Sequence, residues 1–571
     1  MIYIDGLRPD NIDEMVAEGK LPNIKHLFYD EGLRFQNFFT TFPSNTIIAN
    51  GVFLSGKWPE NTGLKTQSFF ERFETRRPNF FKRIWERKRY PRYDNLLTET
   101  DVAPGILKEF RTRTLYNYLG NRFHFSVVPI SPYTAPPAWP HVAANTVKKL
   151  YQATAEAAKR LDDINAAYAR RYMASDLYGR IFLVWFPDMD HEQHADEWGQ
   201  FGKIRESIID DDRMIGEIYD AMNRGENKGK IYVVLFSDHG AYGGRNGVYN
   251  QPFYLGRDFF YKTLKMNVRG PDYSITHPGT DSESFAFVDN MGRGHAEIYL
   301  PVKDSLSRDW SRPNTLYELE HYGLGPNRKP VNLVEALLNL DLSPQNERPE
   351  IDPHPVEFLM LKLSEELIYL ARKDGSQALI GARREGGETF YRYMPVKYLK
   401  QDENGKIEYK ETFSQDPLGY LKSAKFHPEG FDTVEAFLKE EHSPDLWLKA
   451  SYETDFPDAV TVIAKFLNWS PKLSYLAQAR DPDMILSSAE GWNFRIEPIK
   501  GSDHGSLARD SMRATFMISG PNIQKGTAEE PHRIIELAPT LFHMIGYAKK
   551  TDFEANAISD LYSDRTNPGG S

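Results

Sequence analysis

The chain has 571 residues, of which 40% are hydrophobic and 26% charged, and a formal net charge of −10. This balance is that of an ordinary globular chain and argues against a protein built mainly to grip nucleic acid. Cysteine is absent, so disulfides, zinc–thiolate centres and cysteine nucleophiles are excluded, and any metal must be held by His, Asp, Glu or a hydroxyl.

The first residues, MIYIDG, read as a strand ending at Asp5. No charged segment or apolar run precedes it, so the sequence as given carries no signal peptide. So short a lead into a strand implies that the true N-terminus lies upstream. TFPSNTIIANGVFLSGKWPENTG (41–63) reads as a turn, a short apolar helix and a second turn. Ser44 or Asn45 would cap that helix by accepting from free backbone N–H groups. Whether Thr46 has a chemical role depends on the rest of the chain.

Further on, FHFSVVPI (123–130), RIFLVWF (180–186), KIYVVLF (230–236) and ATFMISG (514–520) read as buried strands. Helical spacing appears over 145–173, 203–224 and 533–546. Strands alternating with helices predict an α/β fold, a doubly wound and mostly parallel sheet with helices on both faces. The stretch 266–489 is richer in Pro, Gly and charge, and Asp374-Gly375 between alternating runs is a hairpin signal. We read it as a large α+β insertion or cap. The core would then comprise 1–265 and 490–560, with 561–571 as a disordered tail. No apolar run approaches the ~18 residues of a membrane span.

Residues able to do chemistry gather beside the strands. Asp5 follows the first, and PDMDHEQH supplies Asp188, Asp190, His191 and His194 after RIFLVWF. Ser237-Asp238-His239-Gly240 follows KIYVVLF, and Gly501-Ser502-Asp503-His504-Gly505 precedes ATFMISG. Any one of these reads equally well as a turn or a helix cap. Together they point to a crevice at the carboxyl ends of an open sheet, where such folds bind ligands. Asp and His without thiolate suit zinc, with manganese or iron as alternatives. Two such cations would clamp the attacking and leaving oxygens of a displacement at phosphorus. Thr46, at a helix N-terminus that favours an anion, is the candidate nucleophile, with Ser44 as its rival and Asp188 as the rival of Asp190.

The ordered set IDGLRPD (4–10), FPSNT, SGKWPENTG, DHEQH, SDHG and the late SDHG with SMRATFMISGPNI resembles the alkaline phosphatase superfamily, in its type I phosphodiesterase/nucleotide pyrophosphatase branch. RIIELAPTLFHMIG is similar to that family's closing helix. The resemblance implies a phospho-threonine intermediate on Thr46. It implies one divalent metal on Asp190, His194 and His504 and another on Asp5, Thr46, Asp238 and His239. It also implies an amide at Gln67 holding a phosphoryl oxygen, where the family usually has Asn. Family members often follow the nucleophile with Phe-Pro-Asn-His; this chain has Ile47-Ile48-Ala49-Asn50. Relatives of this kind are commonly exported, so a periplasmic or extracellular site is implied.

A monoester dianion needs added cationic donors, whereas a diester needs room for a second organic group. SVVPISPYTAPPAWP (126–140) has no Lys or Arg but offers Tyr133 and Trp139, which tilts the reading towards a diesterase. An arginine from the insertion could reverse that tilt. ERFETRRPNFFKRIWERKRYPRY (71–93) is either a solvated helix or a surface for a polyanion. Sulfatase chemistry is disfavoured, because cysteine is absent and the Ser44 context does not fit. The expected partner is a small-molecule phosphate ester, with no stable nucleic-acid complex. The alternatives are a phosphomonoesterase of the same superfamily and a non-catalytic binding protein on the same scaffold.

Overall fold

In this computed structural model the described residues are 1–66, 68–73, 92–95, 112–119, 123–126, 162–163, 166, 169–170, 181–244, 250–270, 273–282, 284–290, 293–343, 348, 350–494 and 501–562. A seven-stranded sheet forms from β1 (Ile2–Ile4), β2 (Gly32–Phe35), β3 (Phe123–Ser126), β4 (Ile181–Phe186), β5 (Val233–Phe236), β6 (Phe516–Ser519) and β7 (Gly526–Ala528). Their spatial order is β7-β2-β6-β5-β1-β4-β3. Only β6 runs against the rest.

Alternate side chains point to opposite faces of a strand, and here both faces are covered. Tyr3, Leu183, Trp185, Val234, Phe236 and Phe516 join one core with Ala49, Val52 and Phe53. Ile2, Ile4, Phe182, Val184, Phe186 and Leu235 join another with Ile12, Met15, Ile208 and Ile215. The first face carries helices α2 (Thr46–Ser55) and α5 (Leu537–Met544). The second carries α1 (Pro9–Ala17) and α4 (Arg205–Met222), while α3 (Asp188–Gln193) sits at the end of β4. Burial on both faces is why these strands read as continuous apolar runs.

The sequence reading anticipated β1, β4, β5, β6, α4 and α5 within a few residues. Of FHFSVVPI, residues 123–126 form β3; 127–130 and most of the 145–173 helix lie outside the described residues. Two strands were not anticipated, GLRF in β2 and GTA in β7, which are too short and too polar to show a run. The antiparallel direction of β6 is also a result of the structure.

A second sheet of ten strands lies between Val268 and Ser488. Its Met484–Ser488 strand inserts between His295–Tyr299 and Val356–Ser364. Pairing is antiparallel except between Val268–Arg269 and Ala286–Asp289. The hairpin expected at Asp374-Gly375 joins Leu367–Arg372 to Gln377–Glu385, with Gly375 at φ 80°. Phe358, Met360, Ile368 and Ile380 of this sheet belong to the same core as Tyr3 and Val52, so the two sheets are welded by shared apolar packing.

Arg72 opens the basic 71–93 stretch, yet it is no surface cation. Its guanidinium is fully buried, pairs with Asp483 at 2.5 Å and donates to the Leu300 carbonyl at 2.8 Å. Residues 74–91 lie outside the described residues. Removing one partner of a buried pair leaves an uncompensated charge. Arg72→Met should therefore lower unfolding free energy by roughly 3–5 kcal/mol in urea titration at neutral pH. The double variant Arg72→Met/Asp483→Leu should not recover that loss, because Asp483 also accepts from the Leu300 and Asn314 N–H groups and from Asn314 Nδ2.

Candidate metal centre

Parallel neighbours β5, β1 and β4 place their C-terminal ends side by side. Asp5 leaves β1 there, Asp238 and His239 leave β5, and Asp190 sits on α3 just beyond β4. Because β6 is reversed, its first residue Phe516 pairs with Phe236, the last of β5. The segment leading into β6, which carries His504, therefore arrives at the same edge.

Two groups of donor atoms result. His194 Nε2 is 3.1 Å from Asp190 Oδ2, and His504 Nε2 is 3.9 Å from Asp190 Oδ1. His239 Nε2 is 3.2 Å from Asp238 Oδ2 and 3.5 Å from Asp5 Oδ1. One ligand atom from each of Asp190, His194 and His504 lies within 4.8 Å of the others, and the same holds for Asp5, Asp190 and His239. Asp190 thus borders both groups, and the His239 and His504 rings stack at 3.8 Å.

The histidine tautomers are set from behind. Nδ1 of His194 donates to the Ser502 carbonyl at 2.8 Å, that of His239 to Gly240 at 2.8 Å, and that of His504 to Ser44 at 2.9 Å. A carbonyl only accepts, so each Nδ1 bears the hydrogen, and in its neutral form each ring turns the Nε2 lone pair towards carboxylate oxygens. Lone pair facing lone pair is repulsive unless a cation lies between them. Burial, helped by the Arg293 charge, lowers the pKa of His194; burial, then His239, lowers that of His504 well below its usual value. Protonation is therefore a poor source of that positive charge.

The carboxylates tell the same story. Burial, then repulsion from Asp238 and Asp190, pushes Asp5 well above the usual carboxylate range. Burial works against ionised Asp190, and its pKa falls well below normal only through positive charge on His194 and His504, a charge that a bound cation would supply in place of those protons. Among the described residues no donor hydrogen-bonds to the buried Asp238 Oδ2. Imidazole Nε2 atoms aimed at buried carboxylates, one of them with an oxygen that lacks a donor among the described residues, fit divalent metal ions in both groups.

Thr46 is the first residue of α2, and its Oγ1 lies 3.1 Å from His239 Nε2 and 3.4 Å from Asp5 Oδ1. Asn45 is the cap, its Oδ1 accepting from the Ile47 N–H at 3.1 Å. Ser44 is buried and its hydroxyl is committed: it lies 2.8 Å from Ser511 Oγ, donates to the Ser506 carbonyl at 3.0 Å and accepts from the Gly505 N–H at 3.0 Å. Gln67 and Tyr133 to Trp139 lie outside the described residues.

Supporting residues had no signal in the sequence beyond proximity. Trp185 Nε1 donates to Asp5 Oδ2 at 3.1 Å, the Gly6 N–H to Asp238 Oδ1 at 3.1 Å, and Gln193 Nε2 to Asp190 Oδ1 at 2.5 Å. Gly6 has φ 67°, and a Cβ there would lie 2.6 Å from Gln193 Nε2 and 2.7 Å from Asp190 Oδ1. The glycine directly after Asp5 was the available clue. Asp503, quoted in the sequence motif without a role, sits with Oδ1 3.5 Å from His194 Nδ1.

Asp188 belongs to a different environment. Its Oδ2 accepts from the Asp162 N–H at 3.3 Å, and burial pushes its pKa up to about 7. It faces Asp162 and Asp211 rather than the histidines.

Residues 1–309 match the type I phosphodiesterase / nucleotide pyrophosphatase family. The chain belongs to that family of hydrolases. Among solved structures it is similar to murine ectonucleotide pyrophosphatase / phosphodiesterase 5, at 12% identity and TM-score 0.44 over 96% of both chains. The human protein of that name gives 12% identity and TM-score 0.46 over 99% of both chains. The murine protein also appears as an inactive variant in complex with AMP, at 11% identity and TM-score 0.44 over 96% of both chains. No curated protein sequence matches significantly. Among the described residues no helix is long and apolar enough to cross a membrane.

The two aspartates of α3 should separate cleanly. Asp190→Asn should reduce bound metal, measured by plasma emission after gel filtration, whereas Asp188→Asn should not. A raised carboxyl pKa means that stability is full at low pH and is lost as pH rises through about 7. Asp188→Asn should therefore raise the melting temperature at pH 8, with the gain shrinking towards pH 5.

Proposed function

We propose that the protein is a two-metal phosphodiesterase in which Thr46 is the nucleophile. The observation that carries this reading is the convergence of Thr46 Oγ1 on His239 and Asp5 at the head of α2. Asp190, His194 and His504 would hold one divalent ion, and Asp5, Thr46, Asp238 and His239 the other. When bound, such ions supply Lewis acidity and lower hydroxyl pKa values.

The chain supplies orientation and the nucleophile. Asn45 fixes the start of α2, so the Thr46 hydroxyl is presented at the positive end of that helix. The hydroxyl gives up its proton to solvent as its oxygen attacks phosphorus in line, the departing ester oxygen leaves from the opposite side with the bonding electron pair, and water later releases the remaining phosphate monoester from Thr46. The backbone carbonyls behind His194, His239 and His504 fix which ring nitrogen carries hydrogen and keep the imidazoles correctly turned. Gln67 is the proposed partner of a phosphoryl oxygen. Residues 1–265 and 490–560 are proposed as the catalytic core and 266–489 as the specificity insertion.

Family membership and the absence of basic residues from 126–140 favour a diester or nucleotide-like substrate over a monoester. Zinc-loaded protein should hydrolyse bis-(p-nitrophenyl) phosphate faster than p-nitrophenyl phosphate. Thr46→Ala should lower turnover by roughly 10³-fold or more, and EDTA should abolish it. Faster turnover of the monoester would overturn the substrate class, and activity surviving in Thr46→Ala would overturn the nucleophile.

A further inference from the structure

A cleft of about 950 Å³ opens beyond the C-terminal end of α2, bordered by Trp58 and Glu60 just after that helix. The ten residues of α2 place it about 15 Å from the candidate nucleophile at the other end. No residue assigned to the metal centre lines it. The cleft follows the seam between core and insertion. Core segments 528–536 and 554–560 form one side; the hairpin turn at Glu388, the helix Pro444–Ser451 and Lys465 form the other. Phe35, Trp58, Leu448, Ile535 and Ile558, all buried, give it an apolar floor.

Its walls are unbalanced in charge. Eight carboxylates line the cleft against three Lys or Arg side chains, a formal excess of five negative charges, half of the −10 carried by the whole chain. All three cations are already engaged. Lys465 pairs with Glu60 at 2.6 Å, Arg533 with Asp458 at 2.6 Å and Asp445 at 2.8 Å, and Lys449 with Glu530 at 3.7 Å. Among the described residues no Lys or Arg forms an ion pair with Glu388, Glu529, Glu554 or Asp560, so these four carry the excess. A concave wall of one sign over an apolar, low-dielectric floor focuses its field outwards and concentrates ligands of the opposite sign. The four carboxylates come from three separate stretches of chain. A single ammonium would meet one of them, whereas a chain with cations at intervals can meet several, and the floor offers burial to an apolar side chain between them.

We propose that this cleft docks a basic polypeptide segment of a partner protein. Lys and Arg side chains of that segment meet Glu388, Glu529, Glu554 and Asp560, and an apolar side chain of it packs on the floor beside Trp58. The docking is separate from the reaction at the metal centre and does not depend on the hydrolase reading above.

The test is fluorescence anisotropy of a fluorescein-labelled peptide, Lys-Lys-Leu-Lys-Lys-Leu-Lys, titrated with the full chain. Glu529→Lys/Glu530→Lys alters two exposed carboxylates of the cleft. Glu403→Lys/Glu429→Lys alters two exposed carboxylates outside it, so both variants carry the same net charge. The expected result is a Kd that rises at least about 10-fold in the cleft variant, changes little in the other, and rises with added salt. Equal weakening in both variants would mean diffuse attraction to an acidic protein and would overturn the proposal. So would wild-type protein that fails to bind the peptide at low ionic strength. Sedimentation of each protein without peptide checks the other occupant. A wild-type dimer that is lost only in the cleft variant would assign the cleft to a second copy of the chain and overturn the basic partner.

Discussion

Three carboxylates, Asp5, Asp190 and Asp238, meet in a buried space at one edge of the central sheet, and three imidazoles turn their Nε2 atoms towards them. Buried like charges repel, and burying an unpaired carboxylate costs several kcal/mol or shifts its pKa until it takes a proton. The displaced pKa of Asp5 records this conflict. Divalent cations would resolve it, and much of the local architecture fits a site that holds the conflict in place for them. The carbonyls of Ser44, Gly240 and Ser502 fix the ring tautomers, while Trp185, Gly6 and Gln193 donate to carboxylate oxygens of Asp5, Asp238 and Asp190 and hold them in place.

The sheet explains how residues nearly five hundred positions apart reach this space. Parallel β5, β1 and β4 deliver Asp238, Asp5 and Asp190 at their ends, and the reversed β6 brings His504 from the other side. The second sheet is more than a cover. It shares the core beneath α2 through Phe358 and Ile368, and the chain beside it docks Gly294 on the His504 carbonyl. A cap joined in this way can influence the chemistry without supplying a metal ligand.

Much of this was legible in the sequence because it depends on local pattern. Apolar runs buried on both faces mark β1, β4, β5 and β6, and the Asp and His residues fall directly beside them. The direction of β6 was not legible, since direction is set by tertiary pairing and leaves no mark on a four-residue run. β2 and β7 were hidden by their brevity. At the site, Asp190 and Asp188 carry the same local signal; only the fold shows that one faces histidines and the other faces Asp162. Trp185 and Gln193 read as core and helix residues, and their hydrogen bonds to Asp5 and Asp190 exist only once strands and α3 are packed. Arg293 lies 211 positions before His504 and has no motif around it, so its place beside the centre comes from the docking of its turn.

The account stands or falls on two cations in these two groups of ligands. Crystals grown with zinc and measured on both sides of the zinc absorption edge give the most direct reading. Two anomalous peaks are expected, one among Asp190, His194 and His504 and one among Asp5, Thr46, Asp238 and His239, separated by about 3.5–4 Å. A protein that hydrolyses phosphodiesters at full rate with no anomalous density between these residues would contradict it.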